Sequence, residues 1–206
     1  MAAVLRLMIP TNESVEPDDR QLVRTIRGGD AEAFEQLVRR KTSKVFSLCY
    51  RIIGNAEDAK DISQLVFIKL WENLEKYDPA YAFDTWLYRI VTNVAIDFLR
   101  NKQSRENAVN SNLRLVKTSA DPEQGVVVQR KEIENVFNAV SSVLSPKQKT
   151  IFVMREMDDL PSSQIAKILG CRESTVRNHL FNARKLMQQQ LKKRFPEYAK
   201  LWEERS

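Results

Sequence analysis

Residues 162–191, "SSQIAKILGCRESTVRNHLFNARKLMQQQL", decide the reading of the chain. Ile165, Ala166 and Leu169 fall on one face of a short helix, and small Ala166 lets a second helix approach closely. Gly170 permits a turn, Cys171 can fill beneath it, and Val176, Leu180, Ala183 and Met187 anchor a second helix at helical spacing. Thr175, Arg177, Asn178, Phe181, Asn182, Arg184 and Lys185 then point away from the domain. The expected motif is a helix-turn-helix whose outward side chains suit base edges and phosphates of a major groove. The alternative is an ordinary amphipathic hairpin with a charged face. His179, the chain's only histidine, reads as a neutral polar contact or filler rather than a ligand.

Charge follows the same stretch. The net charge is +6, yet residues 1–104 carry 15 Lys/Arg against 15 Asp/Glu. Residues 171–194 carry seven basic residues against the single acid Glu173, so the positive charge is a local patch of the kind that binds phosphates. At 206 residues, 43% hydrophobic and 29% charged, the composition is that of a foldable soluble chain. Five glycines, seven prolines and helical apolar runs favour an all-α protein. No segment reaches the roughly 18–20 apolar residues that span a bilayer. The opening "MAAVLRLMIP", broken by Arg6, is too short for a signal peptide, so the expectations are no membrane insertion and a cytoplasmic location. Cys49 and Cys171 read as small buried hydrophobes, since a zinc site would need more thiols or histidines. With no Gly-rich phosphate loop and no Ser/His/Asp set, no catalytic residue, metal or cofactor is expected.

Working outward, residues 1–17 read as a flexible tail. Asp18 and Asp19 open a first helix closed by Gly28 and Gly29; Asp30 opens a longer one with Phe34, Leu37, Val38, Val45, Leu48, Cys49 and Ile52 on a stripe, ending at Gly54. Asn55 can cap a third helix to about Tyr77, and Asp84 a fourth to about Gln103. Residues 18–103 thus form one helical domain. Residues 104–125 lose the period and gather Ser, Asn, Asp and Pro, as a flexible linker does. Helical pattern returns over 126–194, with Ser145-Pro146 as N-cap and first helical residue of a helix through Met157. Residues 195–206 form a C-terminal tail that could carry a short helix. The fold expected is all-α: two small helical domains joined by a flexible linker, the second containing the helix-turn-helix.

Two stretches of the first domain carry more than core. In residues 56–77, Ala59, Ile62, Val66 and Leu70 make the buried stripe, whereas Asp61, Gln64, Leu65, Ile68 and Trp71 fall elsewhere, a polar and apolar mixture typical of a protein-docking face. Tyr77, Tyr81, Phe83, Trp86 and Tyr88 then place five aromatics in twelve residues. In the fourth helix Leu87, Ile90, Val91, Val94 and Phe98 form the core stripe. Trp86, Arg89, Asn93 and Arg100 lie roughly opposite: a ring for stacking, cations for phosphates and an amide for a base. The cluster is expected to divide between core and base stacking, with Tyr81 and Phe83, in a loop, as the exposed rings.

"AEDAKDISQLVFIKLWENLEKYD", "FDTWLYRIVTNVAIDFLRNKQSR" and "LSPKQKTIFVMREMDDLPSSQIAKILGCRESTVRNHLFNARKL", in that order, resemble the bacterial sigma factors of the extracytoplasmic-function (ECF) group over about residues 18–194. The resemblance implies a transcription-initiation subunit whose first domain docks through Asp61 and Gln64, with Leu65 and Ile68, on the beta-prime clamp helices of core RNA polymerase. It implies that Tyr81, Phe83, Trp86, Arg89, Asn93 and Arg100 recognise and open the promoter −10 element. The second domain would meet the beta flap and read the −35 element through Ser174, Thr175, Arg177, Asn178, Phe181, Arg184 and Lys185. Promoter DNA and an anti-sigma factor are further implied partners. Where the family often has Gly, Arg and Arg, this chain has Ser174, His179 and Asn182. The segment "STVRNHLFNARKL" is also similar to the output helix of LuxR-type regulators, and a stand-alone regulator is the second reading.

Overall fold

The computed structural model describes residues 18–110 and 126–198, with side chains for 18–106 and 132–198. The elements are α1 (Asp19–Arg27), α2 (Ala31–Ile53), α3 (Ala56–Asn73), a 3-10 turn (Leu74–Lys76), α4 (Phe83–Asn110), α5 (Val126–Ser141), α6 (Pro146–Glu156), α7 (Ser162–Leu169) and α8 (Glu173–Arg194). Among the described residues there is no strand, and no helix is long and apolar enough to cross a membrane. The chain divides into two compact units, one up to Arg40 and one from Lys41.

In the first unit Asp18 caps α1 by a capping box. Its carboxylate accepts from the Gln21 backbone N–H at 2.7 Å while the Gln21 side chain accepts from the Asp18 N–H at 3.0 Å. Asp30 does the same service for α2, accepting from the N–H groups of Glu32 and Ala33. Leu22, Val23 and Ile26 of α1 and Ala33 and Leu37 of α2 are buried.

In the second unit the apolar stripes meet as their spacing requires. Val45, Leu48, Cys49 and Ile52 of α2, Ala59, Ile62, Val66 and Leu70 of α3, and Leu87, Val91, Ala95 and Ile96 of α4 are buried, with α3 packed on α4. Ser145 caps α6 through a second capping box with Pro146 at the first position. The helices α5 to α8 bury Ile151, Val153, Met154, Ile165, Ile168, Val176 and Met187, with α8 packed on α5, α6 and α7. α4 in addition lies against α6 and α7.

Three expectations change. Asp84 lies inside the first turn of α4 instead of capping it, because its carboxylate is held by Lys41 Nζ at 2.8 Å and Lys44 Nζ at 2.6 Å. Burial alone would raise the Asp84 carboxyl, but those two lysines hold it below its ordinary value. α4 continues past Gln103 to Asn110, since "SRENAVN" contains neither Gly nor Pro to stop it. The remainder of the expected linker, 111–125, lies outside the described residues, as do the tail 1–17 and residues 199–206. Cys171, finally, is only half-buried, whereas Cys49 is fully enclosed and its thiol is pushed up to about 11 by burial, a Ser63 hydrogen bond opposing.

Candidate functional site

Three surfaces hold the expected residues. The first is on α3, whose start is set by Asn55, the side chain of which accepts from the Asp58 N–H at 2.9 Å. With the Ala59–Leu70 stripe buried, Asp61, Gln64, Leu65, Ile68 and Trp71 all reach solvent; Ile68 is 54% exposed and Trp71 52%. Large apolar side chains gathered on one exposed helix face mark a candidate interaction surface.

The second surface surrounds the aromatic cluster, and here the rings divide differently from expectation. Tyr77 is buried and donates from its hydroxyl to the Tyr81 carbonyl at 2.8 Å. Phe83 is 3% exposed, edge-on to Tyr77 at 5.4 Å and tilted against Trp86 at 5.9 Å. It is therefore core, a correction to its placement among the base-facing rings: Phe83 is the first residue of α4, so its ring joins the helix stripe instead of a loop. Tyr88 is buried as well, while Trp86 is half-buried. Tyr81 alone of the five is exposed, at 61%. Its loop is held by Asp78, whose carboxylate accepts from the Ala80 N–H at 2.9 Å and whose carbonyl accepts from the Tyr81 N–H at 3.1 Å. Arg89, Asn93 and Arg100 are exposed along one side of α4.

The third surface is α8. Gly170 takes the left-handed conformation, φ 60° and ψ 40°, that ends α7 and turns the chain, and Val176, Leu180, Ala183 and Met187 are buried. Ile168 is buried where Leu169 was expected; Leu169 instead lines a cleft with Asn93, Ile96, Asp97, Arg100 and Lys147. Ser174, Arg177, Asn178, Phe181, Arg184 and Lys185 are exposed, Phe181 at 67%, and Thr175 is half-buried. Arg177 pairs with Glu173, one turn earlier on α8, at 3.5 Å, and Arg184 with Glu156 of α6 at 2.6 Å. Asn182 donates to the Asn178 side chain at 3.3 Å. Burial and nearby Lys147 lower the His179 imidazole, keeping it neutral near pH 7. Among the described residues no group of His, Cys, Asp and Glu could hold a metal ion.

Comparison with known proteins accords with this geometry. Residues 37–105 match Sigma-70 region 2 and residues 139–187 match Sigma-70, region 4. The chain is 31% identical over 182 residues to the ECF RNA polymerase sigma factor SigW of Bacillus subtilis, covering 84% of this chain and 96% of that protein. It belongs to the ECF sigma factors. The Escherichia coli ECF sigma-E factor is 33% identical over 175 residues, 81% of this chain and 90% of its own. In fold, this sigma factor resembles CnrH as solved in complex with the cytosolic domain of CnrY, with a TM-score of 0.63 at 20% identity over 86% of this chain and 99% of that one. It also resembles the sigma factor RpoE of Bartonella quintana, solved with the anti-sigma factor NepR, with a TM-score of 0.59 at 19% identity over 79% and 98%. An ECF sigma factor binds RNA polymerase and serves transcription initiation, so no catalytic constellation is required of it.

One group of residues had no signal in the sequence. Arg51 of α2, Tyr88 of α4 and Asp158 after α6 converge: Arg51 Nη2 lies 2.5 Å from the Asp158 carboxylate and Tyr88 Oη 3.5 Å from it. These positions are 37 and 70 residues apart in order, and no periodicity relates them.

Proposed function

We propose that this sigma factor uses its three surfaces in a division of labour. The α3 face around Asp61 and Gln64, with Leu65 and Ile68, docks on the beta-prime clamp helices. Residues 18–103 then recognise and open the −10 element, with exposed Tyr81 as the stacking ring, half-buried Trp86 supporting it, and Arg89, Asn93 and Arg100 on backbone and base. The domain of residues 126–194 approaches the beta flap and reads the −35 element through α8. Its site of action is the cytoplasm. Of the two proteins of like fold, CnrH was solved with the cytosolic domain of CnrY and RpoE with the anti-sigma factor NepR, and an anti-sigma partner is proposed here too.

The observation that carries this reading is the exposure of Leu65, Ile68 and Trp71 beside Asp61 and Gln64 on a helix whose opposite stripe is fully buried. Such a face is stable in water only at a cost and gains by desolvation against a partner helix. The test is competition for core polymerase. Replacing Asp61 and Gln64 by Ala together should lower affinity at least tenfold with helicity unchanged; a double variant that competes as well as the unaltered chain would overturn the assignment.

A further inference from the structure

Lysines are almost never enclosed unless a partner takes up the charge. Lys149 of α6 is 9% exposed, yet among the described residues its ammonium makes no ion pair and no hydrogen bond. It faces the Phe137 ring, which offsets only part of the cost of burying a cation. Nor is the ammonium sealed off, since it is not among the fully enclosed polar atoms that lack a partner. Lys149 lines a cavity of about 240 Å³ whose other polar walls include Lys102, Gln103 and Glu106 of α4 and Asn138 of α5. Lys102 bears on Lys149 electrostatically but is itself paired with Asp58 at 2.7 Å. Glu106 is exposed and leaves Lys149 unpaired.

We propose that this cavity is a binding site for a small phosphate-bearing anion, with the Lys149 ammonium as its central donor and Lys102, Gln103 and Asn138 around it. The donor inventory supports this. An ammonium offers three N–H groups, and none of those on Lys149 is engaged among the described residues. The Asn138 carboxamide donates one N–H to the Gly54 carbonyl at 3.3 Å and keeps a second. The Ser141 and Ser142 hydroxyls already donate to the carbonyls of Asn138 and Ala139, so they add no donor. A compact ammonium also suits a tetrahedral oxyanion, whereas a planar carboxylate is better met by the fork of an arginine.

Size and electrostatics agree with that assignment. A cavity of about 150 Å³ holds a benzene ring, so this one has room for an inorganic phosphate or diphosphate. Burial, then the charge of Lys102, lowers the Lys149 ammonium to about 8. A bound oxyanion opposes both effects by supplying the missing counter-charge, and its hydrogen bonds to a half-dry cation are stronger than the same bonds in water. The anion therefore selects the protonated lysine. Because α4 forms one wall and α5 and α6 the others, an occupied site also adds to the stability of the folded chain by mass action.

The test titrates the full-length chain with sodium sulfate, phosphate and pyrophosphate by calorimetry, chloride holding the ionic strength constant. Saturable binding is expected, with a melting temperature that rises as the site fills. Lys149→Met should weaken binding at least tenfold. The same variant should melt no lower than the unaltered chain in chloride, because it removes an enclosed charge, so the loss is not one of folding. A second measurement needs no variant. Sulfate keeps its charge between pH 7 and pH 9, while the protonated fraction of a lysine that titrates near 8 falls about tenfold. Sulfate affinity of the unaltered chain should fall by about that factor. Equal binding by Lys149→Met would mean an adventitious ion only and would overturn the proposal. A flat pH profile, or no saturable binding of any of the three anions, overturns it as well.

Discussion

Phe83 and Tyr81 carry similar rings two positions apart, yet one is enclosed by Tyr77 and Trp86 and the other stands in solvent. Truncating Phe83 to Ala should therefore cost roughly 3–5 kcal/mol of stability, the ordinary loss for an enclosed aromatic. Tyr81→Ala should leave the urea midpoint nearly unchanged and reduce permanganate reactivity of unpaired promoter thymines in the holoenzyme. A ring that receives one unstacked base returns about 1–3 kcal/mol, comparable with the stacking lost at one or two base-pair steps. Normal promoter opening by Tyr81→Ala would refute its stacking role. Lys149 gives a second prediction. It is 9% exposed, with its ammonium 5.8 Å from the Phe137 ring centre, and burial, then the charge of Lys102, lowers it to about 8. Between about pH 8 and the ordinary lysine value of 10.5 the unfolded chain binds the extra proton, so stability should rise with pH across that window. Lys149→Met removes the penalty, and its advantage at pH 7, on the order of 1–3 kcal/mol, should fade by pH 10.5 in denaturant titrations.

At the scale of elements, caps and turns set the boundaries of α1, α3, α6 and α7, each by a group legible in the chain: Asp18, Asn55, Ser145 and Gly170. Ser145→Ala should cost about 1 kcal/mol by releasing the first-turn amides of α6. The recognition element α8 carries a different expectation. Binding of the full-length chain to a −35 duplex should weaken with salt by about 0.9 in log K per log unit for each neutralised phosphate, so three to five contacts give a slope of roughly −3 to −5. Lys192→Ala and Lys193→Ala, both exposed in the last turn, should weaken all sequences alike, whereas Arg177→Ala should change which sequence is preferred. A slope near zero would remove α8 from the phosphate backbone.

For the molecule as a whole, Gly54 is a pivotal position, with φ +83° and the Asn138 carboxamide oxygen only 2.5 Å from where a Cβ would be. Gly54→Ala should be destabilising by about 1–2 kcal/mol from the left-handed backbone alone, plus the clash with Asn138. Adding Asn138→Ala should recover the clash and leave the backbone part, a coupling that a double-mutant cycle of urea midpoints reads. The sequence by itself determined the all-α class, the helix-turn-helix and the polar-apolar face of α3, because caps and the 3.6-residue period are local properties written in consecutive residues. It did not determine that Phe83 is core, that Asp84 serves two lysines, or that Leu169 faces α4. Those depend on which stripe each helix turns toward another. Only the tertiary structure brought Arg51, Tyr88 and Asp158 together, since contacts between distant segments are chosen by the competition of whole surfaces for burial, which no spacing along the chain encodes.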